Sequence, residues 1–222
     1  MKVGIIAPIK FLNEYCITNI QYCLPSLLED SKEYRDFYIG RKGKGDIIIL
    51  DCRKPGWKRK PEDWNLVWTA LEHLKPSIII LPSYMYNEKE TSIVANSFKR
   101  DLRRLGVKLA GCLEGTSISE VKKCMRSLKD VDMYAIPSHI YNICKKLDGK
   151  PLIYIENHLA LEELDGLDGI LVTSLPVRLG LEGRLLSDYL PSPPSITFYE
   201  KEDKYPMITE KNVEEAVEHY EE

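Results

Sequence analysis

The chain has 222 residues, of which 44% are hydrophobic and 29% are charged, with a formal net charge of −3. The apolar fraction allows a buried core and excludes wholesale disorder, and the charge excludes a generic electrostatic nucleic-acid binder. No apolar run approaches the ~18–20 residues that span a bilayer, and the N-terminal run is too short for a signal peptide. We therefore expect a cytoplasmic protein without a membrane partner.

Apolar runs of strand length recur along the chain, and several are continuous Ile, Leu or Val without alternation. Such runs are typical of strands buried on both faces of a parallel sheet. The predicted strands are residues 3–7, 46–50, 77–81, 107–112, 133–136, 152–155, 169–173 and 196–199.

Helices between these runs are indicated by capping residues and apolar spacing. Asn87 and Ser117 each precede a Glu by three residues, which is the capping-box pattern. Pro61 begins a further helical segment, Ser138 is expected to cap another, and a last helix is predicted at about 210–220. Two Lys/Arg-rich stretches, 41–44 and 53–60, are expected to be solvated loops, and a local basic surface is the alternative.

The six cysteines form no CxxC pair, and no nearby His completes a zinc pattern. Buried, reduced thiols are the default in the absence of a secretory signal. Cys16 and Cys23 are seven residues apart, on one face of a predicted helix. Neither a structural metal nor a cofactor is expected.

Predicted strands alternating with helices indicate one (β/α)8 barrel that fills residues 1–222 as a single domain. The connections at 158–167 and 175–195 are expected to be irregular, around the sixth and seventh helices. An open doubly wound sheet is the alternative architecture.

In a parallel barrel the functional site is built from residues just after each strand. Asp51 ends an apolar strand, where a partly desolvated carboxylate suits proton transfer or nucleophilic attack, or else caps the following loop. Glu114 and Gly115 join a strand to a helix, where Gly115 lets a ligand approach free backbone N–H groups. An ordinary tight turn is the alternative there.

Two histidines, His139 and His158, also fall at strand ends, where each is either an acid–base group or a structural side chain. Arg178 could hold a phosphate or form a surface ion pair. The sequence has no GxSxG, HExxH or CxxC motif, so serine hydrolase, zincin and thiol-redox functions are unsupported.

Four strand-end segments, taken in order, resemble the tRNA-guanine transglycosylase superfamily, including phage and bacterial relatives that insert 7-deazaguanines into DNA. Leu-Asp-Cys at 50–52 looks like the family's Asp-Ser-Gly-Gly-Phe motif. Leu-Ala-Gly-Cys-Leu-Glu-Gly at 109–115 is similar to its Gly-x-x-Gln-Gly motif. Asp-Met-Tyr-Ala-Ile-Pro-Ser at 132–138 resembles Asp-Gly-Tyr-Ala-Ile-Gly-Gly, and 168–178 resembles Asp-x-Phe-Asp-x-x-Leu-Pro-Thr-Arg.

The resemblance implies pentosyltransferase or glycosidase chemistry at the N-glycosidic bond of a guanine or 7-deazaguanine base in tRNA or DNA. It implies catalytic roles for Asp51 and Glu114. The substrate-binding residues that the resemblance and the strand-end positions together indicate are Cys52, Ser83, Gly115, Ser138, His158, Thr173 and Arg178.

Departures from the family pattern support a second hypothesis. The family's nucleophilic aspartate is replaced by Val172, which cannot form a glycosyl ester, and the family's zinc insertion is absent. The alternative is therefore a catalytically inactive paralogue that binds a nucleobase or nucleic acid, or that associates with a protein partner or a second copy.

Overall fold

The computed structural model describes residues 1–54, 60–144, 152–155, 169–185 and 202–221. It contains eight strands, all pairing in parallel, in the hydrogen-bonded order β1-β8-β7-β6-β5-β4-β3-β2. Their bounds are β1 Lys2–Ile5, β2 Ile20–Cys23, β3 Ile47–Asp51, β4 Ile78–Ile80, β5 Lys108–Cys112, β6 Met133–Pro137, β7 Leu152–Ile155 and β8 Ile170–Thr173. The predicted (β/α)8 barrel is confirmed, and the open doubly wound sheet is not adopted.

The strand prediction is wrong at β2. A helical face was expected for Cys16 and Cys23, whereas Cys23 ends this strand. This strand has only four residues, and two of them are Gln21 and Tyr22. It is therefore too short and too polar to be predicted from an apolar run. Gln21 is nevertheless fully buried, because its amide donates to the carbonyls of Cys16 and Thr18, at 3.2 and 2.6 Å. The strand predicted at 196–199 lies outside the described residues.

The barrel closes where β1 lies beside β2, and no ladder pair joins these two described strands. A Cβ on Gly4 would lie 2.9 Å from Cγ2 of Ile20, so only glycine permits this approach. Side chains satisfy carbonyls at this junction: Cys16 Sγ donates to the Ile5 carbonyl at 3.0 Å, and Thr18 Oγ1 donates to the Ile20 carbonyl at 3.1 Å. Hydrogen bonds from local side chains thus replace the missing ladder.

Helices cover the outside of the strands. They are α1 Leu12–Tyr15, α2 Pro25–Asp30, α3 Lys32–Gly43, α4 Trp64–Leu74, α5 Glu88–Leu102, α6 Ile118–Ser127, α7 Tyr141–Cys144, α8 Leu175–Leu181 and α9 Pro206–Glu221. In the described part, no helix is long and apolar enough to span a bilayer.

Two predicted helix caps are confirmed, because Asn87 accepts from the Glu90 amide and Ser117 accepts from the Glu120 amide. Two other expectations are corrected. The helix after Pro61 begins at Trp64 and is capped by Asp63. Residues 138–140 form a 3₁₀ turn whose N-cap is Pro137, so Ser138 is not the cap of a long helix.

All six cysteines are free and buried, as predicted. Burial raises the pKa of the Cys16 and Cys112 thiols to about 12. These side chains therefore stay protonated at neutral pH and contribute to packing as small apolar groups.

Candidate functional site

Polar side chains from four neighbouring strands meet at the carboxyl edge of the barrel. Asp51 ends β3, Ser83 follows β4, Glu114 follows β5, and His139 follows β6. Because these strands are adjacent and parallel, their carboxyl ends lie side by side. The sequence predicts all four positions, and the tertiary structure joins them in one polar network.

Asp51 forms a closed ion pair at one end of this network. Its two oxygens accept from Nε of Arg53 at 2.8 and 3.0 Å, and Oδ2 also accepts from Arg53 Nη2 and from the Tyr22 hydroxyl, each at 2.5 Å. Asp51 and Arg53 are each only 1% exposed. The carboxylate is saturated by its own neighbours, so the geometry makes Asp51 the anchor of Arg53.

The structure corrects the expectation that residue 53 belongs to a solvated loop. Burial by itself lowers the pKa of the Arg53 guanidinium, but the Asp51 carboxylate raises it above its usual range, so the guanidinium stays charged. A cation two residues after a buried aspartate is the local signal that could have identified this pair.

Arg53 and Cys112 connect the ion pair to Glu114. Nη1 of Arg53 lies 3.4 Å from Sγ of Cys112, and this sulfur lies 3.8 Å from Oε1 of Glu114. A continuous polar network therefore runs beneath the carboxyl edge from Tyr22 to the residues around Glu114.

Glu114 is fully buried and is hydrogen-bonded to residues of the two neighbouring connections, after β4 and after β6. Ser83 Oγ donates to Oε1 at 3.2 Å, and the Tyr86 amide donates to Oε2 at 3.0 Å. Nε2 of His139 lies 2.9 Å from Oε2. Both oxygens of this carboxylate are engaged by these partners. Glu114 can therefore act on a ligand only indirectly, by holding His139.

His139 is the titratable group of this network that reaches the surface, with 13% of its side chain exposed. Because Nε2 faces Glu114, Nδ1 is the ring nitrogen left for a ligand.

Tyr86 packs its ring against the imidazole with centroids 4.5 Å apart, and is itself 49% exposed. Tyr86 has φ 62°, an uncommon conformation for a bulky residue, and this places its amide on Glu114. The sequence analysis did not identify Tyr86, because left-handed backbone at a tyrosine has no local sequence signal.

Gly115 has a structural role in the described site. Its φ is 150°, and a Cβ would lie 2.8 Å from Cβ of Glu120. The close approach is therefore made by α6 and not by a ligand. Glu120 Oε2 also accepts from the amide and hydroxyl of Thr116, at 2.7 and 2.8 Å. The predicted anion position at this helix N-terminus is filled by the chain's own carboxylate.

The remaining predicted residues are not brought into the network. Cys52 is fully buried, Ser138 is partly exposed in its 3₁₀ turn, and Thr173 Oγ1 accepts from the Leu175 amide at 3.0 Å. Arg178 lies within α8 and is 6% exposed, so it is not a surface ion pair. His158 lies outside the described residues.

Val172, at the position of the family's nucleophile, is fully buried in β8. Among the described residues, no group of three or more His, Cys, Asp or Glu could hold a metal ion.

No protein-family model matches the sequence, and no curated protein matches it. Among solved structures, the YdjI aldolase from Escherichia coli K12 is similar, with a TM-score of 0.57 over 99% of this chain and 90% of that chain. The two chains are 10% identical. At this identity the similarity concerns the fold, and it supports the (β/α)8 barrel.

Proposed function

We propose that the protein is an acid–base enzyme of the barrel class in which His139 transfers the proton and Glu114 positions the imidazole. The observation that carries this proposal is the 2.9 Å contact between Nε2 of His139 and Oε2 of the fully buried Glu114. A buried carboxylate fixes the tautomer of the imidazole and stabilises the imidazolium, as in catalytic triads. His139 then presents one nitrogen, with a defined direction, at the edge where barrels bind their substrates.

The substrate class that we propose is a guanine or 7-deazaguanine nucleotide of tRNA or DNA, on the basis of the resemblance of the strand-end segments to the transglycosylase superfamily. In the proposed reaction the bond between C1′ and the base nitrogen breaks, and its electron pair leaves with the base. The His139 imidazolium supplies a proton to the departing base. Water or an incoming base then adds at C1′ and returns a proton to the imidazole.

The buried side chains favour this route over a covalent one. Val172 offers no nucleophile, and both oxygens of Asp51 are engaged by Arg53 and Tyr22. Asp51 is therefore assigned a structural role and Glu114 a positioning role, in place of the nucleophile and base suggested by their position alone.

The test is base exchange or base release from tRNA and DNA, with labelled guanine and a labelled 7-deazaguanine as incoming bases. We expect turnover by the wild-type chain and a loss of about 10²-fold or more in His139→Ala. His73→Ala is the matched control, because His73 is an exposed histidine on α4. Absence of turnover by the wild-type chain on every substrate, or equal rates for His139→Ala and wild type, would contradict the proposal.

A binding protein without turnover is the second candidate function. It is favoured by the saturation of both buried carboxylates, which leaves no free carboxylate in the described network for covalent chemistry. This function predicts that guanine or nucleic acid binds with unchanged affinity to His139→Ala, measured by calorimetry, while no product forms. Turnover that depends on His139 would reject it.

A further inference from the structure

A groove at the amino ends of β4 and β5 lies at the opposite end of the barrel from the candidate site. Its cavity volume is about 430 Å³, and we call it the amino-end groove. It lies between the end of α4 and the segment that leads into β5. Its lining residues are Trp68, Leu71, Glu72, Lys75, Pro76, Leu105 and Val107.

The walls of the amino-end groove are mainly apolar and include one indole ring. Leu105 is 45% exposed in the 3₁₀ turn Arg103–Leu105, and Trp68 is only partly buried. Trp68 packs partly on the core and edge-on against Trp64, with centroids 5.1 Å apart, and the described chain leaves the rest of this indole and much of Leu105 uncovered. A concave apolar surface with an aromatic wall is the kind of surface on which a planar ring can stack.

Three cations lie in or next to the segments that line this apolar surface. Lys75 lines the groove, and Arg104 and Lys108 are the chain neighbours of the lining residues Leu105 and Val107. All three are exposed, and none forms an ion pair with a carboxylate in the described part of the chain. Glu72 is the acidic residue of the lining. In a chain of net charge −3, this border has the opposite sign to the protein as a whole.

We propose that the amino-end groove binds a single strand of nucleic acid, with one unpaired base against Trp68 and Leu105 and the strand's phosphates on Lys75, Arg104 and Lys108. Cations beside an aromatic wall are the combination that binds single strands, because phosphates pair with the cations while bases stack on the ring. Glu72 adds an acceptor for the N–H groups of a base. An acidic peptide would use the cations but has no need of a ring-sized concavity, and a membrane favours a protruding apolar surface.

The cation at position 75 can be removed by a substitution that does not damage the fold. It is the C-cap of α4 and has φ 47° and ψ 64°, a left-handed conformation in which glycine is favoured. The variant Lys75→Gly therefore removes the ammonium group and relieves backbone strain. Weaker binding together with a higher melting temperature could not be attributed to unfolding.

The experiment is titration of the full chain into fluorescein-labelled oligothymidylate, followed by anisotropy and by tryptophan fluorescence. We expect salt-dependent binding: three phosphate contacts give a slope of about −2 in log affinity against log salt. A roughly fourfold rise in salt should then weaken binding about twentyfold.

Variants of the groove identify the surface. Lys75→Gly is expected to weaken binding about fivefold, and the double variant Arg104→Glu/Lys108→Glu about tenfold or more, with a shallower salt slope. Leu105→Glu places a carboxylate at an already exposed position and is expected to weaken binding by about fivefold. The matched control is Lys32→Glu/Lys122→Glu, two exposed lysines outside the groove, which should leave the affinity unchanged.

The proposal is overturned if the wild-type chain does not bind the oligonucleotide, or if the control double variant loses as much affinity as the groove variants. It is equally overturned if polyglutamate or anionic vesicles bind in a groove-dependent way and the oligonucleotide does not. The amino-end groove lies at the opposite end of the barrel from His139, so His139→Ala should leave the anisotropy titration unchanged. Failure of the groove proposal is therefore distinguishable from failure of the acid–base proposal.

Discussion

Nε2 of His139 lies 2.9 Å from Oε2 of Glu114, and the same carboxylate oxygen accepts the Tyr86 amide at 3.0 Å. Glu114 is fully buried, whereas 13% of the His139 side chain is exposed. The carboxylate is thus a fixed point inside the barrel, and the imidazole connects it to the surface at the carboxyl edge. In the proposed function, this relationship puts the acid–base group, His139, at the ends of β5 and β6.

Replacement of Glu114 by Gln tests the positioning role. The amide group of Gln faces a backbone donor and an imidazole, so one donor loses its acceptor and the imidazole loses its charged partner. We expect kcat for base release to fall at least about tenfold and the free energy of unfolding to fall by about 1–3 kcal/mol. Glu90→Gln, at an exposed position on α5, is the control. Unchanged kcat in Glu114→Gln would show that His139 does not act through this carboxylate.

Removal of the cation from the buried ion pair should be among the most destabilising single changes. In Arg53→Met the Asp51 carboxylate loses the guanidinium and keeps the Tyr22 hydroxyl and the backbone amide of residue 53 as hydrogen-bond donors. We expect a loss of about 3–5 kcal/mol in urea unfolding. The double variant Asp51→Leu/Arg53→Met should recover most of this loss, because it removes the buried charge itself. Arg100→Met, whose side chain is 80% exposed, should be nearly neutral. A small effect of Arg53→Met would contradict the closed pair.

The backbone of Tyr86 can be separated from its ring by comparing two variants. Tyr86→Ala and Tyr86→Gly both remove the ring from His139, but only Gly adopts φ 62° without strain. We expect Tyr86→Gly to be more stable than Tyr86→Ala by about 1 kcal/mol in thermal or urea unfolding. Both variants remove the ring that packs against His139, so the rate of base release should fall to a similar extent in the two. Equal stability of the two variants would mean that the left-handed conformation at this position carries no strain.

Replacement by alanine should have opposite effects at two glycines, Gly4 at the junction between β1 and β2 and Gly40 in α3. Gly4→Ala places a Cβ 2.9 Å from Ile20 Cγ2 and 3.1 Å from the Ile20 carbonyl, so we expect a loss of about 1–3 kcal/mol. Gly40 lies in α3 with open space around it, and Gly40→Ala should gain about 0.5–1 kcal/mol. Urea unfolding of both variants checks the prediction. A neutral Gly4→Ala would imply that the two strands can separate without cost.

Stability should decline at alkaline pH because of the buried thiols. Burial raises the pKa of Cys16, Cys112 and Cys124 from 9.0 to about 12. The folded state therefore holds these protons more tightly than the unfolded chain. The stabilisation is fully present below pH ~9 and is lost as the pH rises toward ~12. Urea unfolding across this range measures the decline. Each thiol contributes at most about 1.4 kcal/mol per pH unit, so Cys124→Ala should show a shallower slope, and an identical slope would contradict the assignment.

Much of the barrel could be predicted from local pattern. Continuous apolar runs identified seven of the eight strands of the structure, because strands buried on both faces need little else. The capping boxes at Asn87 and Ser117 could also be predicted from local sequence, because each cap is a hydrogen bond between residues within one turn of the chain. The strand β2 could not be predicted, because it is short and polar: Gln21 is buried on local carbonyls of Cys16 and Thr18, and the Tyr22 hydroxyl is buried on the distant Asp51.

The sequence by itself determined which polar residues stand at strand ends, and so it named Asp51, Ser83, Glu114 and His139. The tertiary structure decided what each of them does. In the folded chain the Asp51 carboxylate is hydrogen-bonded by Arg53 and Tyr22, and Glu114, which follows β5, contacts His139, which follows the neighbouring strand β6. At Gly115 the group in close approach is Glu120 of the chain itself, and not a ligand. The physical reason is that strand position follows from local apolar pattern, whereas the state of a buried charge depends on which distant residues come within hydrogen-bond distance of it.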